Sequence, residues 1–214
     1  MKEKRYTHVI WDFNGTILDD VEASIKSADQ LLTAHGLPAL ASPEVYRANF
    51  GFPVIDYYRR LGFDFDKIPY EVLAPEWVGY YLENARDAGI CHGVREVLAE
   101  VQARGIPQLI LSATERGMLR SQVEALGILP YFEDLLGMGD IHAHSKEQVA
   151  VEWRRANPDA RVLMVGDTDH DAAVASAMGA DCVLLTSGHQ SRVRLEACKC
   201  RFVADAAREI LELL

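Results

Sequence analysis

The chain has 214 residues, 49% of them hydrophobic and 25% charged, with a formal net charge of −10 at pH 7. That length suits one domain, or one domain carrying a smaller insertion, and can bury a substantial core. A surface this acidic repels nucleic acid and anionic membranes, so neither is an expected partner.

The segment Met1 to Arg5 is polar and charged, and the first apolar run, His8 to Trp11, is too short for a signal-peptide core. No stretch reaches the length of a membrane span. The expected location is therefore the cytoplasm. The four cysteines, Cys91, Cys182, Cys198 and Cys200, are expected there as reduced thiols. Cys182 lies in an apolar run and reads as a small buried hydrophobe. Cys198-Lys199-Cys200 has no second pair at zinc-ligand spacing.

In chain order, Tyr6 to Phe13 reads as a buried strand that ends at Asn14-Gly15. Apolar residues then recur at helical spacing from Asp20 to His35, and Gly36 stops that helix. Between Leu37 and Ile90 no strand pattern occurs. Helical segments there are punctuated by Pro43, Pro53, Pro69 and Pro75, with Val72 to Arg86 the longest. After Gly93 the period alternates. Helices are predicted at Val94–Ala103, Glu115–Leu126, Lys146–Ala156, Asp169–Met178, around Val193–Ala197 and at Ala206–Leu213. Strands are predicted at Gln108–Leu111, Arg161–Val165, Cys182–Leu185 and Arg201–Val203. Nearly continuous apolar strands alternating with helices imply a parallel, doubly wound α/β sheet. The helical block interrupts this sheet after its first strand. The expected division is a core of residues 1–18 and 91–214 with an inserted helical cap of residues 19–90.

Ligands on such sheets bind at the carboxyl ends of the strands. The first strand ends in Asp12-Phe13-Asn14-Gly15-Thr16, the second in Ser112-Ala113, and the strand at 161–165 in Gly166-Asp167-Thr168-Asp169-His170-Asp171, while Lys146 opens a helix. Singly, each has an ordinary structural explanation: Asp169 as a helix N-cap, Gly15 in a tight turn, Lys146 on the surface. Their convergence on one rim is harder to reach by accident. Carboxylates gathered this way need a cation, and Asp12, Asp167 and Asp171 offer hard oxygen ligands suited to Mg²⁺. Lys146 and Ser112 complement a phosphoryl group instead.

The D-x-x-G-T run at Asp12, the strand-end Ser112, Lys146 and the G-D-x-x-x-D run ending at Asp171 resemble, in order, the four motifs of the haloacid dehalogenase superfamily. The helical insertion after the first motif resembles its C1-capped branch, which includes phosphoglycolate phosphatases and β-phosphoglucomutases. The stretch Thr186 to Ser191 also resembles that branch. The resemblance implies a Rossmann-like core and a small phosphorylated metabolite as substrate. It casts Asp12 as the nucleophile that forms an aspartyl-phosphate. The backbone carbonyl of Asn14 and the carboxylate of Asp167 would hold Mg²⁺, with Asp171 as a further ligand or orienting a metal-bound water. Thr16, Ser112, Ala113 and Lys146 would bind the transferring phosphoryl group.

One position departs from the pattern. Where phosphatases of this family carry an acid/base Asp, two residues after the nucleophile, this chain has Asn14. An amide donates no catalytic proton, so the expected enzyme is slow or selective for good leaving groups. A binding or sensing protein that holds a phosphometabolite is the alternative. Within the cap, Arg47, Asn49, Arg59 and Arg60 are candidates to read an anionic substrate, and Phe50-Gly51-Phe52-Pro53 is a candidate specificity loop. His170 is a candidate substitute acid, and His142 and His144 read as a polar loop before Lys146 or as metal ligands. A receiver domain is disfavoured by length and motif order, and a dinucleotide dehydrogenase by the lack of G-x-G-x-x-G.

Overall fold

A computed structural model describes residues 5–139 and 145–214. His142 and His144 lie outside the described residues. Among these, six parallel strands form one sheet: β1 (His8–Trp11), β2 (Gln108–Glu115), β3 (Asp134–Met138), β4 (Val162–Gly166), β5 (Asp181–Leu185) and β6 (Phe202–Ala204), in the order β3-β2-β1-β4-β5-β6. Chain direction across the sheet reverses between β1 and β4, whose register runs from His8 opposite Val162 to Trp11 opposite Val165. At such a reversal the connections leave to opposite sides and open a crevice beyond the strand carboxyl ends. Asp12 and Asp167 immediately follow those two strands.

The strands read as continuous apolar runs because both faces are covered. On one face Val9, Trp11, Ile110 and Val165 pack against α5 (Val94–Ala103) and α6 (Arg116–Ala125). On the other, Ile10, Leu111, Met164 and Leu184 pack against α7 (Lys146–Ala156) and α8 (Asp169–Ala177). α9 (Arg192–Glu196) follows β5.

Four helices lie between β1 and α5: α1 (Val21–Ala34), α2 (Pro43–Asn49), α3 (Val54–Arg60) and α4 (Tyr70–Asn84). Val21, Leu31, Leu32, Tyr46, Tyr57, Tyr58, Phe63 and Leu73 form an apolar cluster separate from the two that flank the sheet. The chain enters and leaves this helical block through adjacent segments. Leu18 bridges Ile90 in antiparallel fashion, the Asp19 amide donates to Gly89 O at 3.0 Å, and the Cys91 amide donates to Ile17 O at 2.8 Å. Among the described residues no helix is long and apolar enough to cross a membrane.

Several expectations need correction. β3 was absent from the sequence reading because Asp134-Leu-Leu-Gly-Met138 is short and holds Asp and Gly, both disfavoured in strands. Its glycine has a packing reason: a Cβ at Gly137 would come within 2.7 Å of Arg116 Cα. The final segment, Ala207–Glu212, is a 3₁₀ helix and not an α-helix. α4 runs through Pro75, as the predicted helix Val72 to Arg86 does, since packing of Leu73 and Tyr81 on the buried side outweighs the lost backbone bond. Thr168, not Asp169, caps α8, and it does so reciprocally with Asp171.

One polar pair sits deep in the sheet. The Trp11 indole N–H donates to Gln108 Oε1 at 3.0 Å, and Gln108 Nε2 donates to Leu98 O at 2.9 Å, with both side chains buried. Gln108→Leu keeps the volume but strands the indole N–H, while Leu98 O keeps its place in the α5 ladder. Stranding such a buried group costs about 1–3 kcal/mol. The expected loss, read by urea denaturation, is therefore about 1–3 kcal/mol; an unchanged midpoint would show that the pair is not the polar anchor of β1 to β2.

Candidate active site

Asp12 leaves β1 with its amide donating to Val165 O at 2.8 Å, so the β1–β4 ladder fixes where its carboxyl points. Asp12, Asp167 and Asp171 are all buried, and one carboxylate oxygen from each lies within 4.8 Å of the others. Every one of these carboxyls is held. Asp167 accepts from the Thr16 hydroxyl at 3.1 Å and from the His189 amide at 2.7 Å. Asp171 accepts from the Asp167 and Thr168 amides at 3.1 and 3.0 Å and from the Thr168 hydroxyl at 2.7 Å. Lys146, only 4% exposed, bridges Asp12 and Asp171, the latter at 2.6 Å. A surface position for Lys146 is thereby excluded.

The electrostatics follow from burial. Loss of water pushes the Asp12 carboxyl well above the usual range; the Lys146 ammonium opposes this, and Asp171 and Asp167 add to it. Burial likewise pushes Asp167 up to about 6. Asp171 is held low despite its burial because it takes the Lys146 charge and the hydroxyl of Thr168. Against its own burial, the carboxylates of Asp12 and Asp171 hold Lys146 firmly in the charged form. Three buried carboxyls and one ammonium leave an excess of negative charge, and the donor set is oxygen only. That combination suits a hard divalent cation such as Mg²⁺. The fit is tight around Asp167: a Cβ on Gly188 would approach its Oδ2 to 2.1 Å, and one on Gly15, at φ +71°, would approach it to 2.4 Å.

The other expected residues divide. Ser112 and Ala113 line the cavity beside the acids. The Ser112 hydroxyl accepts from the Thr114 amide and donates to the Thr114 hydroxyl, both at 3.0 Å. Thr16 is fully buried and outside the cavity lining. Its hydroxyl is spent on Asp167, so it orients a carboxylate and does not face a phosphoryl group. Arg47 also moves: its Nε donates to Gly188 O at 3.0 Å, tying the helical block to the core, and it does not line the cavity. Arg60 donates to Asn49 O, Asn49 to Val45 O, and Arg59 pairs with Asp56. None of these four is aimed at the site. Phe50 and Phe52 reach the cavity. His170 lines it too, against the Phe52 ring at 4.7 Å. Burial and then Lys146 hold His170 below the usual imidazole range, so near pH 7 it is a neutral ring and a poor proton donor.

A second buried network was not foreseen. Asn14 Nδ2 donates to Asp20 Oδ2 and to the Tyr81 hydroxyl, both at 2.8 Å, and Asn14 Oδ1 accepts from Thr114 at 3.2 Å. Asp20 also accepts from Tyr81 at 2.6 Å and from the Gly15 amide at 2.8 Å. His189 stands 3.3 Å from Asp20 and shares a 2.9 Å hydrogen bond with Tyr46. Against its burial, Asp20 keeps the His189 ring charged, up to about 9. The signal available in sequence was the crowding of aromatics between Tyr46 and Tyr81 and the histidine within Thr186 to Ser191. Neither feature alone says that these side chains converge on the site.

Known proteins are similar to this chain over most of its length. A phosphoglycolate phosphatase of Vibrio parahaemolyticus is 27% identical over 96% of this chain and 95% of its own length. A protein of Caldanaerobacter subterraneus that carries the provisional name pyrophosphatase is 27% identical over 82% of this chain and 79% of its own. A haloacid dehalogenase-like hydrolase from Streptococcus pneumoniae superposes with a TM-score of 0.83 over 97% of this chain and 98% of its own, at 18% identity, which speaks for the fold. The sequence pattern of the haloacid dehalogenase-like hydrolases spans residues 9–185, from β1 through β5 and every residue of the carboxylate cluster, and the chain belongs to that family.

Proposed function

We propose that this protein is a Mg²⁺-dependent phosphohydrolase of small phosphorylated metabolites, working through an aspartyl-phosphate on Asp12. The observation that carries the reading is the buried trio Asp12, Asp167 and Asp171, bridged by Lys146 at the switch point of the sheet. A cation bound there supplies the positive charge that the trio lacks and a hold on a phosphoryl oxygen. Asp12, Asp167, Asp171 and the Asn14 backbone carbonyl are the groups that would hold it.

In this reading the Asp12 carboxylate attacks phosphorus, the P–O bond to the leaving group breaks, and the alcohol side departs with the bonding electrons. Water then attacks the same phosphorus, releasing inorganic phosphate and restoring the carboxylate, with its proton passing to solvent. Lys146, Ser112 and the Ala113 segment face the phosphoryl oxygens and offset their charge. Thr16 and the His189 amide keep Asp167 oriented. Residues 19–90 act as the cap that excludes water from the reacting centre.

Asn14 supplies no proton to the leaving group, and its amide is fully engaged. Turnover is therefore selective for leaving groups that depart without protonation. The same observation supports a second reading, a phosphometabolite-binding protein with attenuated turnover. The test is a panel of aryl, acyl and alkyl phosphates with and without excess chelator. We expect aryl and acyl phosphates to be cleaved in Mg²⁺ or Mn²⁺, with activity lost in chelator and restored by Mg²⁺. Full activity in chelator would overturn the metal assignment. Binding without turnover on every substrate class would favour the second reading.

A further inference from the structure

The carboxylate cluster closes one end of a cavity of about 340 Å³ whose other walls are largely aromatic and aliphatic, with Asp20, Ser24, Thr114 and His170 among them. Its lining includes Phe52, Trp77, Val78, Leu82 and Met118. Four of these are large apolar side chains left exposed: Phe52 40%, Val78 42%, Leu82 47% and Met118 37%. Exposed apolar side chains collected around one opening, and not scattered, mark a binding surface. Deeper in, Trp77 and Tyr81 stack at 5.0 Å, and Phe50 packs on Tyr57 at 5.3 Å.

The charge pattern is one-sided. Among the described residues that line the cavity, Lys146 is the one lysine or arginine, and it is taken up by Asp12 and Asp171. His189 faces Asp20 and Tyr46. Arg47, Arg59 and Arg60 are bound to groups of the protein itself. Among the described residues, no further lysine or arginine on these walls answers a second anionic group, and carboxylates such as Asp20 would repel one. An aromatic body, by contrast, would lie against π faces and aliphatic walls of matching character.

Resting on the phosphohydrolase reading, we infer that the substrate is a phosphate monoester whose alcohol part is aromatic or bulky and apolar, without a carboxylate. The phosphate takes the Lys146 end and the apolar body takes the Trp77–Leu82 end. This separates the chain from the substrate in its relatives' name, since phosphoglycolate carries a carboxylate one carbon from the ester oxygen.

The native chain in Mg²⁺ should cleave benzyl phosphate with a kcat/KM roughly 10–100-fold above that for 2-phosphoglycolate or glycerol phosphate, the factor expected from burying a phenyl-sized group. All three release alkoxides, so the difference reports recognition and not protonation of the leaving group. Benzylphosphonate should likewise bind more tightly than methylphosphonate by thermal shift, a readout that needs no turnover. Leu82→Lys, at a half-exposed position that tolerates charge, should move the ratio of benzyl phosphate to phosphoglycolate at least tenfold toward phosphoglycolate. Equal or better turnover of phosphoglycolate by the native chain, or a ratio unmoved in Leu82→Lys, would overturn the inference. If these alkyl esters are not turned over but aryl or acyl phosphates are, the phosphohydrolase reading stands; if no substrate class is cleaved, it fails. The phosphonate pair then still decides the apolar site, and equal binding of the two overturns it.

Discussion

Replacing Asp12 by asparagine is expected to reduce phosphate-ester turnover by roughly 10⁶-fold, the scale on which an enzyme loses rate when its nucleophile is removed. The amide keeps the size of the side chain but is too weak a nucleophile to form the phosphoenzyme. The fold should not suffer. Asp12 is buried among like charges that push its carboxyl up, so its removal relieves repulsion. Lys146 keeps Asp171 as a partner at 2.6 Å. Activity and stability are therefore expected to move in opposite directions, as they do where a site is held at the cost of stability.

The sign of the pH dependence follows. In chelator, Asp12 and Asp167 hold protons in the folded state at pH values where the unfolded chain has released them. Stability then falls as pH rises from about 4, where unfolded carboxyls ionise, through about 6, where Asp167 ionises in the fold. Asp171, held low, acts in the opposite sense and only below the ordinary carboxylate range. Asp12→Asn should flatten the decline, and Mg²⁺ should remove most of it. Thermal melts of both proteins between pH 4 and 8, with and without Mg²⁺, check this. A native protein whose chelated stability rises across that interval would contradict the charge balance described for the cluster.

Asn14→Asp is expected to raise turnover of alkyl phosphates by about 10²-fold or more, within the range that a positioned acid supplies. An alkoxide leaves poorly without a proton, and the native amide has none to give. The surroundings strengthen the expectation. Asn14 Nδ2 now sits 2.8 Å from Asp20 Oδ2, so a carboxyl in its place would share a proton with Asp20. One acid of such a pair stays protonated well above the usual range, as a general acid requires. Aryl and acyl phosphates should gain less. The same proximity should weaken the variant relative to the native protein as pH rises above the ordinary carboxylate range. If alkyl-ester turnover is unchanged, the proton shared with Asp20 is held away from the leaving group. Asn14 precedes Gly15, a pair prone to deamidation, so the native sample needs its mass at this position confirmed before the two proteins are compared.

The rim of the candidate site was legible because strand ends are punctuated in sequence. A β-branched apolar run followed by Asp12 or Asp167 and a turn announces both the element and its functional end, and the helices opened by Lys146 and closed by Ala103 stand where periodicity put them. Thr16 and Arg47 were harder. Residue type says that a hydroxyl or a guanidinium can meet phosphate, but only the fold shows that Thr16 is used up on Asp167 and Arg47 on Gly188 O. The Asn14–Asp20–Tyr81 network joins positions up to 67 residues apart through α4, and no local pattern encodes that meeting. β3 escaped because an edge strand of five residues with alternating half-burial carries little apolar signal.

Asp12 is expected to carry the phosphoryl group, and the phosphoenzyme itself can be measured. The protein is mixed with Mg²⁺ and acetyl phosphate, quenched in acid within the first turnover, and mapped by peptide mass spectrometry. One phosphoryl group is expected on the peptide containing Asp12, absent in chelator and absent in Asp12→Asn. A phosphoryl group on another residue, or undiminished turnover by Asp12→Asn, would contradict it.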